Sequence, residues 1–242
     1  MVAESNSTVT RAEVERLVRE SVYARLGAGL QNFRGAGNPL VINVSARHCH
    51  LTSEAVETLF GKGRKLTPMR SLYQEGAFAA EETVTVIGPR SRVISNLRVL
   101  GPCRDKNQVE LAFTDAVALG FKVPVRLSGN IAGTPGCMLM GPKGFSKLTE
   151  GVIRAAPHVH MSPEDAAHYQ VSEGDRMKLR VSGPVGLTFD NILVRVLRNN
   201  KLEVHIDTDE GNACGITADS HCDLEKIGGC GCYHGKESVV SN

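Results

Sequence analysis

Two pairs of histidines, each separated by a single residue, are the side chains in this sequence best suited to carry chemistry. His48 and His50 belong to the stretch S-A-R-H-C-H-L-T, and His158 and His160 belong to H-V-H-M-S-P-E. In an extended strand, residues i and i+2 point to the same face. Each pair therefore presents two imidazoles to one side of a strand, and imidazole is the commonest metal ligand in proteins.

The surroundings of the two pairs repeat along the chain. H-C-H-L-T-S-E-A at 48–55 aligns with H-V-H-M-S-P-E-D at 158–165, at an offset of 110 residues. The strand-like Q-V-E-L at 108–111 aligns with E-V-H-I at 203–206, and each follows a polar turn. We interpret this pattern as an internal duplication of one supersecondary unit.

The alignment supplies a third candidate ligand for each histidine pair, because Glu110 occupies in the first half the position of His205 in the second. Two imidazoles and a donor from another strand form an open three-ligand site, which is typical of catalytic zinc. Histidines without a metal are commoner, but five of the chain's eight histidines fall into these matched sets. We favour zinc, with Co²⁺, Ni²⁺ or Fe²⁺ as alternatives, and a binuclear centre if the halves meet. The predicted ligands are His48, His50 and Glu110 in one site and His158, His160 and His205 in the other.

Other candidate residues carry weaker signals. Arg104, in G-P-C-R-D, could bind a phosphate bidentately, but on spacing alone a surface salt bridge with Asp105 is favoured. The neighbouring Cys103 has no base beside it in sequence, so we interpret it as a structural thiol. The acidic residues of D-T-D-E-G-N-A-C-G at 207–215 are either partners that fix the imidazole tautomers or part of a polar loop.

The elements that must position these residues are mostly strands. From Pro39 onward, short runs such as L-V-I-N-V, T-V-T-V-I and M-K-L-R-V are rich in β-branched residues and are separated by Gly, Pro and Asn. Brief helices are predicted after each histidine pair, with Ser53 and Ser162 as N-caps and Pro163 in the first helical turn. Many short strands with few helices predict a mainly β fold of the sandwich or barrel type.

Residues 9–27 form an amphipathic pattern with Val14, Val18, Val22 and Leu26 on one side, and a Gly-rich stretch follows. This N-terminal amphipathic helix either packs on its own globular domain or acts as a docking peptide for another protein, and periodicity favours neither.

The formal net charge of +2 and the absence of Trp argue against nucleic-acid binding. We also expect no membrane span and no secretion signal, hence a cytoplasmic protein whose seven cysteines are free thiols or metal ligands.

Four motifs resemble one known family: N-V-S-A-R-H-C-H-L-T, G-P-C-R-D-K-N-Q-V-E-L, H-V-H-M-S and V-H-I-D-T-D-E-G-N-A. They are similar to the signatures of the PduL-type phosphate acyltransferases, the phosphate propanoyltransferases or phosphotransacylases of bacterial microcompartments. The resemblance covers roughly residues 38–220, in the family's order. It implies two similar β-barrel domains, a dinuclear zinc site between them, and conversion of acyl-CoA and phosphate to acyl phosphate and CoA.

The resemblance also implies roles for individual residues. The family's zinc ligands fall on the six residues that the repeat identifies, so two zinc ions per chain are expected. Arg104 matches the phosphate-binding arginine of the family, which reverses the preference for a surface salt bridge. Ser45, Arg98 and Asn212 lie in segments that resemble those near CoA and the metal.

There is one departure from the family pattern and one segment outside it. The second histidine pair follows A-P, where the family often repeats the arginine of the first pair, so that function is lost or supplied by Arg154. The Cys-rich tail lies beyond the resemblance. Its Cys222, Cys230, Cys232 and His234 could form a small zinc knot, but a disordered tail with incidental thiols is favoured.

The predicted organisation follows the resemblance. The N-terminal helix and linker resemble the family's encapsulation peptide. The resemblance implies that shell or core proteins are partners and that the protein lies in the microcompartment lumen. It also implies a metabolic setting such as propanediol degradation. We also expect a homo-oligomer, and a second barrel that borrows a strand from residues 38–46. The segments are 1–37 (helix and linker), 38–150 (first barrel), 151–220 (second barrel) and 221–242 (tail).

The mechanistic hypothesis has phosphate attacking the acyl group directly. One zinc orients a phosphate oxygen while Arg104 neutralises its charge, and the other stabilises the departing CoA thiolate, because a metal lowers a thiol pKa from about 8.5. The rival hypotheses are a dizinc acyl-CoA hydrolase and a non-catalytic metal-binding scaffold protein of a microcompartment. The sequence does not decide which zinc holds sulfur, or whether acetyl-CoA or propanoyl-CoA is preferred.

Overall fold

A computed structural model of the chain describes residues 39–227. The predicted N-terminal helix, its linker and most of the Cys-rich tail lie outside this range. Within it the chain forms fifteen strands and four helices. In chain order these are β1 (Val41–Ser45), β2 (His48–His50), α1 (Ser53–Phe60), β3 (Pro68–Ser71), β4 (Phe78–Ile87), β5 (Val93–Gly101), β6 (Gln108–Glu110), α2 (Phe113–Leu119), β7 (Val125–Arg126), β8 (Cys137–Met140), β9 (Phe145–Leu148), β10 (Val152–Ala155), β11 (His158–Met161), α3 (Pro163–Tyr169), β12 (Arg176–Val181), β13 (Leu187–Val196), β14 (Glu203–Asp207), α4 (Thr208–Cys214) and β15 (Cys222–Lys226).

The strands form two curled sheets, each shaped like half a barrel, and the prediction of a mainly β fold is confirmed. The first sheet has the order β7-β10-β6-β2-β5-β4-β8-β9, with β3 attached to β4. The second has the order β1-β14-β11-β13-β12-β15. Strand β15, which begins in the segment predicted as a tail, forms one edge of the second sheet.

The two sheets share one arrangement of strand directions. In the first, β10 is parallel to β6, β6 antiparallel to β2, β2 parallel to β5 and β5 antiparallel to β4. In the second, β1, β14, β11, β13 and β12 repeat the same alternation. Strand β1 leads into the first sheet but pairs in the second, and β10 leads into the second but pairs in the first. The two sheets are therefore joined by short crossings immediately before each histidine pair.

Each sheet encloses its own apolar cluster. In β12, Met177, Leu179 and Val181 are buried while the intervening basic residues face outward, as the two-residue period of a strand requires. Full burial of one such side chain stabilises the fold by about 1.5–3 kcal/mol. Cys49 and Val159, the central residues of the two histidine pairs, are both 0 % exposed and pack into these clusters. The imidazoles on either side of them therefore face away from the core.

The helices are short, and local capping defines where they begin. Ser162 caps α3 and Pro163 opens it, as predicted. The prediction for α1 is wrong by one residue, because Thr52 is the N-cap: its Oγ1 accepts from the backbone N–H of Ala55 at 3.1 Å, and Ser53 is already helical. In the described part of the chain, none of the helices combines the length and apolar character needed to cross a membrane.

Candidate metal centre

Strand register brings the third predicted ligand to each histidine pair. Strands β2 and β6 are antiparallel, with His48 directly opposite Glu110. Strands β11 and β14 are antiparallel in the same way, with His158 directly opposite His205. Because directly opposed residues in an antiparallel pair are neighbours on one face of the sheet, each set of three side chains converges.

In the first set, a carboxylate lies between two imidazoles. His48 Nε2 is 3.5 Å from Glu110 Oε2, and His50 Nε2 is 3.7 Å from Glu110 Oε1. One ligand atom from each of the three residues lies within 4.8 Å of the others. His48 Nδ1 is 2.8 Å from the carbonyl oxygen of Ala46, so Nδ1 carries the proton and the Nε2 lone pair faces the site.

The second set consists of three imidazoles with the same local geometry. His158 Nδ1 is 2.8 Å from the carbonyl oxygen of Ala156, which again leaves Nε2 facing the site. His158 Nε2 is 3.2 Å from His160 Nε2, and the three ligand atoms of the set are within 4.8 Å of one another. His205 Nδ1 lies 3.2 Å from Ser45 Oγ, which orients its ring.

The charges of these groups suit a divalent metal. Burial lowers the pKa of His50 and of His160 to about 3, and that of His158 to about 4. Burial acts to raise the pKa of Glu110, but the His48 and His50 rings and the Ser128 hydroxyl more than offset it and hold that pKa at about 2. His50, His158 and His160 are therefore neutral imidazoles and Glu110 is an ionised carboxylate at neutral pH, which are the forms that ligate zinc.

The two sets lie close to each other. Ser45, which contacts His205 of the second set, precedes His48 of the first set by three residues. Three residues of extended chain span at most about 11 Å. The carboxylate of Glu110 also acts to raise the pKa of His158 across the two sets, in opposition to the effect of burial. The two sets are therefore close neighbours in the fold.

Arg104 is tied to the first set through a serine. Its Nη1 donates to Ser128 Oγ at 3.0 Å, and Ser128 donates to Glu110 Oε1 at 2.8 Å. The guanidinium thus points toward the predicted ligands and is exposed enough to meet a substrate anion. Gln108 Nε2 also donates to Glu110 Oε1, at 2.6 Å. Sequence reasoning missed Ser128, which lies in a loop without a motif, and Gln108, whose two-residue spacing from Glu110 was a usable signal.

The three residues expected near CoA are not brought together in one cluster of contacts. Ser45 lies at the second set, against His205. Arg98 Nη1 donates to the backbone carbonyls of Ala80 and Glu81, both at 2.9 Å, and thereby fastens β5 to β4. Asn212 is exposed on α4.

The acidic residues that follow His205 have a different role from either alternative considered above. They form helix α4 rather than a loop, and Asp207 caps it. Arg154 Nε is 2.6 Å from Asp207 Oδ2, and Arg154 Nη2 is 2.5 Å from Glu210 Oε1. The guanidinium also lies 4.7 Å from the ring centroid of Phe113. These carboxylates therefore bind an arginine from β10 and do not orient the imidazoles.

The first half contains the corresponding contact. Arg47, beside the first histidine pair, is 3.0 Å from Asp115 in the first turn of α2. The A-P sequence before His158 lacks such an arginine, and Arg154 makes the contact with α4 from another strand. The two strands that carry Glu110 and His205 are thus each followed by a short helix whose first turn contacts one arginine.

Replacing Arg154 with alanine is expected to destabilise the fold by about 3–5 kcal/mol, because two buried carboxylates lose their cation. The side chains of Arg154, Asp207 and Glu210 are only 12 %, 10 % and 13 % exposed. Arg47→Ala is the matched control, with an expected loss of about 0–1 kcal/mol, because the Arg47 side chain is 48 % exposed. Urea unfolding of the two variants measures both values, and equal losses would contradict the assigned difference.

Comparison with known proteins places this geometry in context. The family description "Phosphate propanoyltransferase" matches residues 41–217. A phosphate propanoyltransferase of Planctopirus limnophila is 52 % identical over 232 residues, which cover 93 % of this chain and 95 % of the relative. Those of Thermotoga maritima and Salmonella typhimurium are 50 % and 46 % identical, over 72 % and 73 % of this chain and 83 % and 84 % of the relatives.

Proposed function

Because the chain belongs to the phosphate propanoyltransferase family, we propose that it transfers a short acyl group between CoA and phosphate, with propanoyl-CoA or acetyl-CoA as substrate. The observation that carries the proposal is the pair of three-ligand sets, with Arg104 held by Ser128 at the carboxylate of the first. A phosphate, an acyl thioester and a metal centre can meet there without any further reactive side chain.

The two sets are proposed to hold one zinc ion each. His48, His50 and Glu110 would bind one, and His158, His160 and His205 the other. Bound zinc would supply Lewis-acid stabilisation of the phosphate oxygen and of the CoA thiolate, whose pKa it lowers. The convergence of the ligand atoms in each set and the ionised carboxylate of Glu110 support this assignment.

The chain's own residues position the reactants and balance charge. The Arg104 guanidinium binds the incoming phosphate and neutralises part of its charge, and Ser128 fixes the guanidinium relative to Glu110. A phosphate oxygen then forms a bond to the acyl carbonyl carbon, the carbon–sulfur bond breaks, and the electron pair leaves with sulfur as the CoA thiolate. Ser45 keeps the His205 ring in place, and Arg98 and Asn212 are proposed to border the CoA path.

The repeated strand directions and registers support an origin by duplication, with barrel units at 38–150 and 151–220 that exchange strands β1 and β10. We also propose that residues 1–37 target the protein into a bacterial microcompartment by binding shell or core proteins, and that the chain forms a homo-oligomer. The cellular location of a variant that lacks residues 1–37 tests the targeting role. We expect the variant to stay outside the microcompartment, and an unchanged location would contradict this role.

CoA release from propanoyl-CoA, measured with and without phosphate, tests the proposed reaction. We expect release only with phosphate, and an equal amount of acyl phosphate as product. Equal release without phosphate would instead indicate a hydrolase. Stoichiometric zinc binding without turnover on either propanoyl-CoA or acetyl-CoA would indicate a non-catalytic scaffold.

A further inference from the structure

A second carboxylate lies beside the all-histidine set. Glu203 precedes His205 by two residues on β14 and is 1 % exposed. Its Oε2 is 3.1 Å from His205 Nε2, the ring nitrogen opposite the one that contacts Ser45. On β6 the equivalent residue is Gln108, which precedes Glu110 by two residues and donates to its carboxylate.

Strand register shows that Glu203 and Gln108 occupy matching places. Gln108 lies opposite His50, and Glu203 lies opposite His160. The first site therefore has a carboxylate at the ligand position and a neutral amide beside it. The second site has an imidazole at the ligand position and a carboxylate beside it. Each site therefore contains one carboxylate. In the first site it stands at the ligand position, and in the second it stands two residues earlier on the equivalent strand.

The Glu203 carboxylate has no protein cation to balance it in the described part of the chain. Asn43 Nδ2 donates to Oε1 at 3.0 Å, and Gln74 Nε2 donates to Oε2 at 2.7 Å. Both donors are neutral amides, and among residues 39–227 the ion-pair contact of Glu203 is with the His205 ring alone. The Glu203 carboxylate can therefore balance the charge of a metal ion that binds at the neighbouring histidines.

We propose that Glu203 is a positioning residue of the second site: its carboxylate lies beside Nε2 of His205 and balances the charge of the metal ion that His158, His160 and His205 bind. The proposal rests on the metal centre of the proposed function. Glu203 acts through His205, since it is not among the residues whose ligand atoms all lie within 4.8 Å of one another. Residues that contact metal ligands without binding the metal typically contribute 10–100-fold to metal affinity.

Gln74 extends the arrangement to the other half of the molecule. Its side chain donates to the carbonyl oxygen of Lys201 and accepts from the Lys201 backbone N–H, both at 3.1 Å, while it also holds Glu203. Gln74 lies between β3 and β4, which belong to the first sheet. A segment of the first half therefore holds the Glu203 carboxylate in place at the second site.

Zinc titration of the full, metal-stripped chain tests the proposal, with a chromophoric chelator as competitor. The wild-type protein is expected to bind two equivalents. In Glu203→Gln, one equivalent should bind about 10–100-fold more weakly while the other is unchanged. Glu225→Gln, which alters an exposed glutamate on β15, is the matched control and should leave both affinities unchanged.

Melting of the metal-free proteins separates this role from a structural one. Without zinc, Glu203→Gln should melt close to the wild type, because glutamine fills the same volume and its amide oxygen still accepts a hydrogen bond from Gln74. Two zinc equivalents with wild-type affinity in the variant would overturn the inference, as would a metal-free variant that is clearly destabilised. A wild-type chain that binds fewer than two zinc ions would instead overturn the metal centre itself, and the inference with it.

Discussion

Replacing His158 with alanine is expected to lower kcat for phosphate-dependent acyl transfer by on the order of 10³-fold, because Lewis-acid stabilisation contributes several kcal/mol and each factor of ten corresponds to about 1.4 kcal/mol. The imidazole is fixed by its bond to the carbonyl oxygen of Ala156 and faces His160 at 3.2 Å. Alanine at this position leaves two donors in the second set, which is too few for a stable zinc site.

The same variant should lose one of two bound zinc ions, so metal content and kcat are measured on one sample. His168→Ala is the matched control, because His168 is exposed on α3 and belongs to neither set. The account requires full zinc content and wild-type kcat in this control. A His158→Ala variant with one zinc ion and near-wild-type kcat would show that the second set is not catalytic.

Replacing Arg104 with alanine is expected to lower kcat/KM for phosphate about 100-fold, while KM for acyl-CoA changes less than about threefold. A hydrogen bond to a charged group contributes about 1.5–3 kcal/mol, which corresponds to roughly 10–150-fold. Arg104 is held by Ser128 beside the first set, where a phosphate would meet it. Arg104→Lys should recover part of the loss, since lysine keeps the charge but lacks the bidentate fork.

Steady-state kinetics with each substrate varied in turn measures the two effects separately. Arg180→Ala, an exposed arginine on β12, is the control for loss of one positive charge and should change neither parameter. An Arg104→Ala variant whose losses are equal for phosphate and acyl-CoA would contradict the phosphate-binding role.

Much of the candidate site could be predicted because it depends on strand periodicity. Two histidines at i and i+2 must share a face, and the repeat then identified Glu110 and His205, which the register places opposite His48 and His158. The mainly β fold follows from the same short, β-branched segments. Cys49 lies between the first two histidines and is buried in the core, as the two-residue period of a strand requires.

The partners of the ligands could not be predicted, because they come from distant parts of the chain. Ser128 reaches Glu110 from a loop, and Gln74 reaches Glu203 from the other half of the molecule. Arg154 contacts α4 because β10 pairs in the first sheet. The local sequence around β10 does not predict in which sheet this strand pairs. The residues of α4 were ambiguous because Gly and Asn favour turns, whereas the capping box at Asp207 favours a helix.

The central claim is that two zinc ions, one in each three-ligand set, support acyl transfer to phosphate. The most direct test measures phosphate-dependent CoA release in one preparation at three stages: as purified, after chelation and after zinc is restored, with the zinc content of each. The account predicts two zinc ions per chain, loss of activity on chelation and recovery as zinc returns to two. Full phosphate-dependent turnover in zinc-free protein, with no other metal bound, would contradict it.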